Sequence, residues 1–573
     1  MKTSKLNPTI FLLIFVFLFG ISGYTQPSEP VEIPKGKLET FEFSESKIFP
    51  GTVREITVYI PKQIDPSVPA CVYVQQDGFD PNSHFNDILD TLIKTKEIPV
   101  TVGIFVRPGY LPPIVDGQVG RPNRCLEYDG VGDNYVRFLL EEILPLVTEK
   151  YHLNLSDSGN DRCIGGCSSG GISSFNAAWQ RPDAFTRVYC TSGSFVAFRG
   201  GHEFPTLIRK TEAKPIRAFL TTGSDDMENC AGDWNLLDHE MDKALKFSGY
   251  EYQFHPLKGS HCTGYSDFFA KGMRYLWKDW PNPVKTGPSA PRVCDIIEPN
   301  EPWQLVKDGF FDVRGPDCNA QGEVFFTDPE NSSIYKIDTK NQVSVFVENT
   351  GQCNSLSFGA NGELYAVSAK SGKIWSFDAN GKATVLAEGI HGQYVLARPD
   401  GGLYVSQDAN GNEPGKIWLL KDGEKIIVDS GISAPSGIAM SPDRWLLTVA
   451  DRQSHWVYSY TITTGGTLQN KERFFSLHVQ DWDNNSGAES VCYDREGHLY
   501  VATRMGIQIC AWDGPTQVIL PLPEKQRVSG VCIGGENLDI LFAFCGDKIY
   551  QRKIKNHTVG AFTPLTKMTQ GKL

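Results

Sequence analysis

No run of basic residues occurs anywhere in the 573-residue chain, and its formal net charge is -12. Without a cationic stripe there is nothing to neutralise a phosphate backbone, so no nucleic-acid partner is expected. Long apolar runs are also missing beyond the N-terminus, so no later segment is expected to cross a bilayer. The 14 cysteines include no C-x-x-C pair, which removes the usual zinc-site spacings. Most of them stand in apolar, strand-like stretches (Cys71, Cys190, Cys492, Cys510, Cys532, Cys545), where a small buried hydrophobe is the expected role. Cys230 and Cys262 differ. Both fall in loops beside candidate catalytic residues, and they form the candidate disulfide pair.

What is present is ordinary globular composition, 40% hydrophobic and 21% charged, at a length that calls for two or more cores. Residues 1–25 read as a secretory signal. Lys2 and Lys5 supply the positive start, Ile10 to Ile21 the apolar core, and Ser22, Gly23 and Thr25 the small residues after it. The other reading is a membrane anchor, but the run is short for a span. No cysteine near its end suggests a lipid anchor. The expectation is a secreted or periplasmic chain with no membrane insertion once the signal is removed.

Residues 28–284 alternate apolar strand-like runs with helix-like ones, which implies a mostly parallel sheet with helices on both faces. Ligands bind such sheets at the carboxyl ends of the strands. The chemistry falls there. Gly166-Cys167-Ser168-Ser169-Gly170-Gly171 follows an apolar strand and precedes a helix, the setting of a G-x-S-x-G nucleophile elbow. Taken alone it could be a plain strand-to-helix turn. Two strands later come Gly223-Ser224-Asp225-Asp226, and one strand after that Gly259-Ser260-His261. The order Ser, Asp, His is that of the α/β-hydrolase triad. A serine hydroxyl needs a histidine to take its proton and a carboxylate to orient that histidine. Asp226 is favoured as the acid over Asp225, with Glu228 third. The oxyanion donors expected are the N–H of Ser169 and that of Gly78 or Phe79.

These residues resemble a known family. Residues 40–282 are similar to the esterase family that includes enterochelin esterases, feruloyl and acetyl-xylan esterases, and S-formylglutathione hydrolase-like proteins. The resemblance rests on Gln76-Asp77-Gly78, Asn123-Arg124 with Glu127-Tyr128, the elbow, Gly223 to Asp226, Gly232-Asp233-Trp234 and Gly259-Ser260-His261. It implies ester hydrolysis by Ser168, Asp226 and His261 without a cofactor, and it puts Arg124, Glu127 and Trp234 on the substrate side. The partner it implies is a small-molecule or carbohydrate ester.

Residues 285–303 are rich in proline and polar residues and read as an extended linker. From residue 304 to 573 the chain repeats. Gly322–Asp328 recurs as Gly362–Ser368, Gly401–Gln407, Arg444–Ala450, Gly497–Thr503 and, more faintly, Asp539–Cys545. A period of about 40 residues suits one four-stranded blade, and the copies predict a six-bladed propeller. This half resembles the gluconolactonase/luciferin-regenerating/senescence-marker family. That resemblance implies one axial divalent cation held by a Glu, an Asn and an Asp. Here Arg314-Gly315-Pro316 stands at the Glu position, Pro435-Ser436-Gly437 at the Asn position and Glu489 at the Asp position. Asn354 keeps a substrate position of the family, and Gln393 replaces another Asn. An arginine at a cation site opposes the ion, so no metal is expected there and the propeller is read as a binding or structural unit.

Overall fold

The computed structural model describes residues 32–566, apart from residue 525. The secretory-signal reading of residues 1–25 lies outside the described residues. The first half is an eight-stranded mixed sheet. Its strands are β1 (Lys37–Phe43), β2 (Arg54–Ile60), β3 (Cys71–Gln76), β4 (Thr101–Val106), β5 (Arg162–Cys167), β6 (Arg187–Thr191), β7 (Arg217–Gly223) and β8 (Glu251–Leu257). The spatial order is β1-β2-β4-β3-β5-β6-β7-β8, with β4 to β8 running parallel and the β1–β2 hairpin antiparallel at one edge.

The strands β3 to β7 are buried along their whole length and apolar in their middles, with polar residues confined mostly to their ends, as a sheet covered by helices requires. The helices that matter to the site are α1 (Ser169–Gln180), α2 (Phe204–Lys210), α3 (Trp234–Phe247) and α4 (Phe269–Trp277). Asp233 caps α3 by accepting the Leu236 N–H, and Gly249 just past its end adopts φ +70. All four catalytic-side loops leave the carboxyl ends of β3, β5, β7 and β8, so the parallel register places them along one edge.

The segment 285–303, expected to be extended, carries a short helix, Pro291–Ile296. Pro291 starts it, and Val293, Ile296 and Ile297 pack into an apolar cluster with Tyr500, Val518 and Leu520. Those contacts turn a linker into a strap fixed to the second half.

That second half is six four-stranded antiparallel sheets. Blade one spans residues 314–347, and blades two to five begin at 355, 392, 435 and 491. Blade six joins Gly530–Gly534, Ile540–Cys545 and Lys548–Lys553 to Gln304–Lys307 from the start of the domain. Each sequence repeat is the second strand of its blade, buried because it faces neighbouring blades on both sides. The two halves touch through a bridge between Thr211 and Ile519, a 2.7 Å contact from Arg552 Nη2 to Glu212, and a 2.9 Å contact from Lys210 Nζ to His478 Nε2.

Candidate active site

Strand β5 delivers Ser168 at φ 61, ψ -125, a backbone conformation that a non-glycine residue occupies only when its surroundings impose it. The glycines of the motif make the approach possible. A Cβ on Gly166 would stand 2.6 Å from the backbone carbon of Gly170, so the strand could not pass the helix start. Helix α1 begins at Ser169, which aims its free N–H groups and positive end at the Ser168 side chain. Ser168 Oγ lies 3.4 Å from Ser194 Oγ, to which the buried Trp234 indole N–H donates at 3.1 Å.

From the end of β7, Asp226 reaches His261 in the loop after β8. Asp226 Oδ1 is 2.5 Å from His261 Nδ1. Its carboxylate also accepts from Ser192 Oγ (2.5 Å), Met227 N–H (2.7 Å) and Gly223 N–H (3.3 Å). Burial works against this charge, but the hydrogen bonds from His261, Ser192 and the Met227 amide outweigh it and hold the pKa down at about 2. Asp225 instead takes the Ser224 hydroxyl at 3.1 Å on the exposed side, and Glu228 lies in an exposed two-residue strand. Among the described residues no hydrogen bond joins Ser168 to His261. Contacts of this kind are often loose before substrate arrives.

The disulfide differs from the expected one. Cys262 bonds Cys167, and Cys230 is free and exposed. The bond joins the residue before Ser168 to the residue after His261, and so ties the elbow to the histidine loop across 95 residues. Its signal was available: once Ser168 and His261 meet, their immediate neighbours meet too. Cys167, His261 and Cys262 are also the one group of metal-ligating side chains that converges among the described residues, and the disulfide removes both thiols from that role. Four non-glycine residues around this point have positive φ: Asp77 (65), Ser168 (61), Ser192 (44) and Cys262 (63). Strain concentrated in this way marks a site over-determined by its surroundings.

Other expected residues are placed less uniformly. Gly78 N–H bonds Val106 O at 3.0 Å, so it cannot also serve an oxyanion, and Phe79 N–H is the remaining candidate beside Ser169. Arg124 grips Asp77 through two bonds of 2.6 and 3.0 Å and reaches Cys167 O at 3.4 Å, which fixes the loop after β3 against the elbow. Glu127 is not on the substrate side. Its side chain is fully buried and accepts from Arg54 (2.7 and 3.0 Å), Gly109 N–H and Asn123. Trp234 is buried as well, with its ring 6.1 Å from the His261 ring. Ser192 and Ser194, in the loop after β6, were missed by sequence reasoning. Their only signal is a small polar stretch at the carboxyl end of the strand between the nucleophile and the acid.

At the propeller axis, Arg314 and Glu489 line one hollow at the mouth where the inner strands begin. They do not pair. Arg314 bonds Asp312, while Glu489 bonds Arg527 and lies 3.5 Å from Arg452. Ser436 is buried, and its hydroxyl is spent on the carbonyls of Ala488 (2.8 Å) and Ala450 (3.2 Å). Asn354 accepts from Ala369 N–H at 2.7 Å. These residues do not fit a divalent cation, which needs several free oxygen donors and balancing carboxylates. The one carboxylate at the three ligand positions is already neutralised by two guanidinium groups.

Both halves match known families. Residues 46–267 match the family described as "Putative esterase", and residues 315–544 match the SMP-30/Gluconolactonase/LRE-like region. The chain therefore joins an α/β-hydrolase domain of the esterase family to a six-bladed gluconolactonase-like propeller. A gluconolactonase of Zymomonas mobilis is 23% identical over 282 residues, covering 43% of this chain and 79% of that protein. A solved gluconolactonase of Xanthomonas campestris aligns at TM-score 0.42 and 18% identity, covering 46% of this chain and 93% of its own. The enterobactin esterase of Shigella flexneri aligns at TM-score 0.33 and 15% identity, covering 43% of this chain and 61% of its own.

Proposed function

We propose that the chain is a secreted or periplasmic serine ester hydrolase that cleaves an acyl ester of a sugar, polysaccharide or siderophore, with a non-catalytic propeller. The observation that carries this reading is the 2.5 Å pair between His261 and a buried, ionised Asp226, beside a serine held in a strained elbow. In the proposed reaction Ser168 Oγ turns from Ser194 toward His261 and attacks the ester carbonyl as His261 Nε2 takes its proton. Asp226 keeps the imidazole in the tautomer with Nδ1–H and stabilises it once charged. The N–H groups of Ser169 and Phe79 receive the negative oxygen. His261 then protonates the departing alcohol, and water hydrolyses the acyl-serine by the same route in reverse. The Cys167–Cys262 bond supports an oxidising compartment, in line with an N-terminal signal.

Two alternatives stand beside this. A metal-dependent lactonase in the propeller is favoured by the similarity to gluconolactonases and opposed by the axial residues. A carbohydrate-binding protein with two inert halves is opposed by the formed His261–Asp226 pair. A panel of acetyl, feruloyl and short-chain aryl esters, assayed with and without chelator, separates the three. Chelator-insensitive ester turnover supports the proposal, chelator-sensitive lactone turnover the first alternative, and no turnover of any substrate the second.

A further inference from the structure

The axial mouth of the propeller holds a second hollow, of about 290 Å3, beside the one that contains Arg314 and Glu489. Arg452, Arg504 and Arg527 line it together with Gln453 and Asn485, and no carboxylate does. The guanidinium groups come from three blades. Arg452 follows the second strand of blade four, Arg504 that of blade five, and Arg527 precedes the inner strand of blade six. Each is anchored by a carboxylate that is not part of the lining: Arg452 by Asp408 and Glu489, Arg504 by Asp483 at 3.4 Å, and Arg527 by Glu489. These anchors use only Nη atoms, so the Nε–H of all three arginines has no partner among the described residues. A guanidinium held in this way is oriented yet keeps donors for a second oxyanion, which it binds with the planar, two-pronged geometry lysine lacks. The Gln453 amide and the Asn485 Nδ2 add polar groups suited to hydroxyls, while Asn485 Oδ1 accepts the Gly487 N–H at 3.1 Å.

We propose that this hollow binds an oxyanion-bearing sugar, a uronate or a sulfated sugar, without a metal ion. Its position gives the binding a use. The loop that supplies Asn485 and Gly487 to the hollow also packs Trp482 within 3.2 Å of where a Cβ on Gly132 would stand, and Asp481 beside Gly200, both in the first half. One loop thus touches the esterase domain and the hollow together. The binding proposal stands independently of the esterase reading, because it is read as binding and not as turnover.

The test is calorimetric titration of the full chain with galacturonate, galactose 6-sulfate, neutral galactose and inorganic sulfate. The expected result is one-to-one binding of at least one acidic sugar, no binding of galactose, and weaker binding of inorganic sulfate. Binding of galacturonate alone assigns a carboxylate ligand, and binding of galactose 6-sulfate alone assigns a sulfate ester. Arg504→Gln and Arg527→Gln should each weaken it by about tenfold or more, the scale of one charge-assisted two-pronged contact. Arg504→Lys should recover part of the loss, and unchanged melting temperatures should show that the variants fold. The proposal is overturned if neither acidic sugar binds at millimolar concentration, if both arginine variants bind as the wild type does, if inorganic sulfate binds as tightly as either sugar, or if the chain holds stoichiometric calcium that a chelator removes.

Discussion

The two halves treat their strand ends in opposite ways. In the esterase domain, every residue type that the triad chemistry demands is present, and the backbone is bent to present it. Ser168, Ser192 and Cys262 take positive φ, a disulfide ties two of the loops, and Asp226 is buried to hold one imidazole. In the propeller, the corresponding ring of strand starts carries Arg314, Ser436 and Glu489; Ser436 and Glu489 are taken up by protein partners, whereas Arg314 bonds Asp312 through Nη2 and its buried Nε has no partner among the described residues. A site kept for chemistry retains strain and donors that await a partner. At the propeller mouth the carboxylate of Glu489 is tied into ion pairs, while guanidinium N–H groups are left over.

The largest effect expected is on the acid. Asp226→Asn should lower ester turnover by about ten-thousand-fold, because it leaves His261 without its anionic partner, while Asp225→Asn should change it little. Equal losses in the two variants would erase the distinction drawn at the end of β7. Next comes the clamp. Replacing Cys167 and Cys262 by alanine should cost about 4–5 kcal/mol of stability, the scale for closing a loop of this length, and should lower turnover at temperatures where the domain stays folded. A variant with unchanged melting and unchanged turnover would show that the bond does not organise the site.

Glu127→Ala separates structure from substrate contact. Removing it leaves Arg54 buried and unpaired, so about 3–5 kcal/mol of stability should be lost, with little change in KM for molecules that remain folded. A selective rise in KM would return Glu127 to the substrate side. The smallest effect lies in another hollow of the propeller, which Asp317 lines with Ser357 and Phe358. Burial pushes the Asp317 carboxyl up to about 6, although it accepts hydrogen bonds from Phe358 and Cys318. An unfolded aspartate titrates near ~3.9, so between those values the folded state holds more protons and stability falls as pH rises. The wild-type propeller should therefore lose melting temperature between pH 4 and about 6 and level off above that, and Asp317→Asn should flatten the trend.

Much of this was legible in the sequence because it is local. The elbow, the acid loop and the histidine loop each sit directly after an apolar strand, in the chain order of the triad proposed. The blade repeats are visible because every second strand is buried between neighbours and so keeps its apolar pattern. What could not be read depends on which distant segments adjoin. Glu127 was put on the substrate side by the family resemblance alone, and nothing near it in the chain announces its partner, Arg54, 73 residues away. Cys262 was matched to Cys230 because both lie in loops beside the candidate acid and base, whereas the register of β5, β6, β7 and β8 brings Cys167 to it. Nor does the sequence say which charges meet at the propeller mouth, where Glu489 is reached by Arg452 and Arg527 from blades four and six and not by Arg314. Blade six closes with Gln304–Lys307, which no repeat announces, since that strand is exposed.

The most direct test of the central claim is ester turnover by the wild type and by Ser168→Ala, each with and without chelator, together with their melting curves. The account predicts that the wild type hydrolyses at least one acyl ester at a rate chelator does not change. It also predicts that Ser168→Ala loses that activity by about a thousandfold or more while melting at the same temperature. Turnover that survives Ser168→Ala, or that vanishes with chelator, would contradict it and move the chemistry out of the esterase domain.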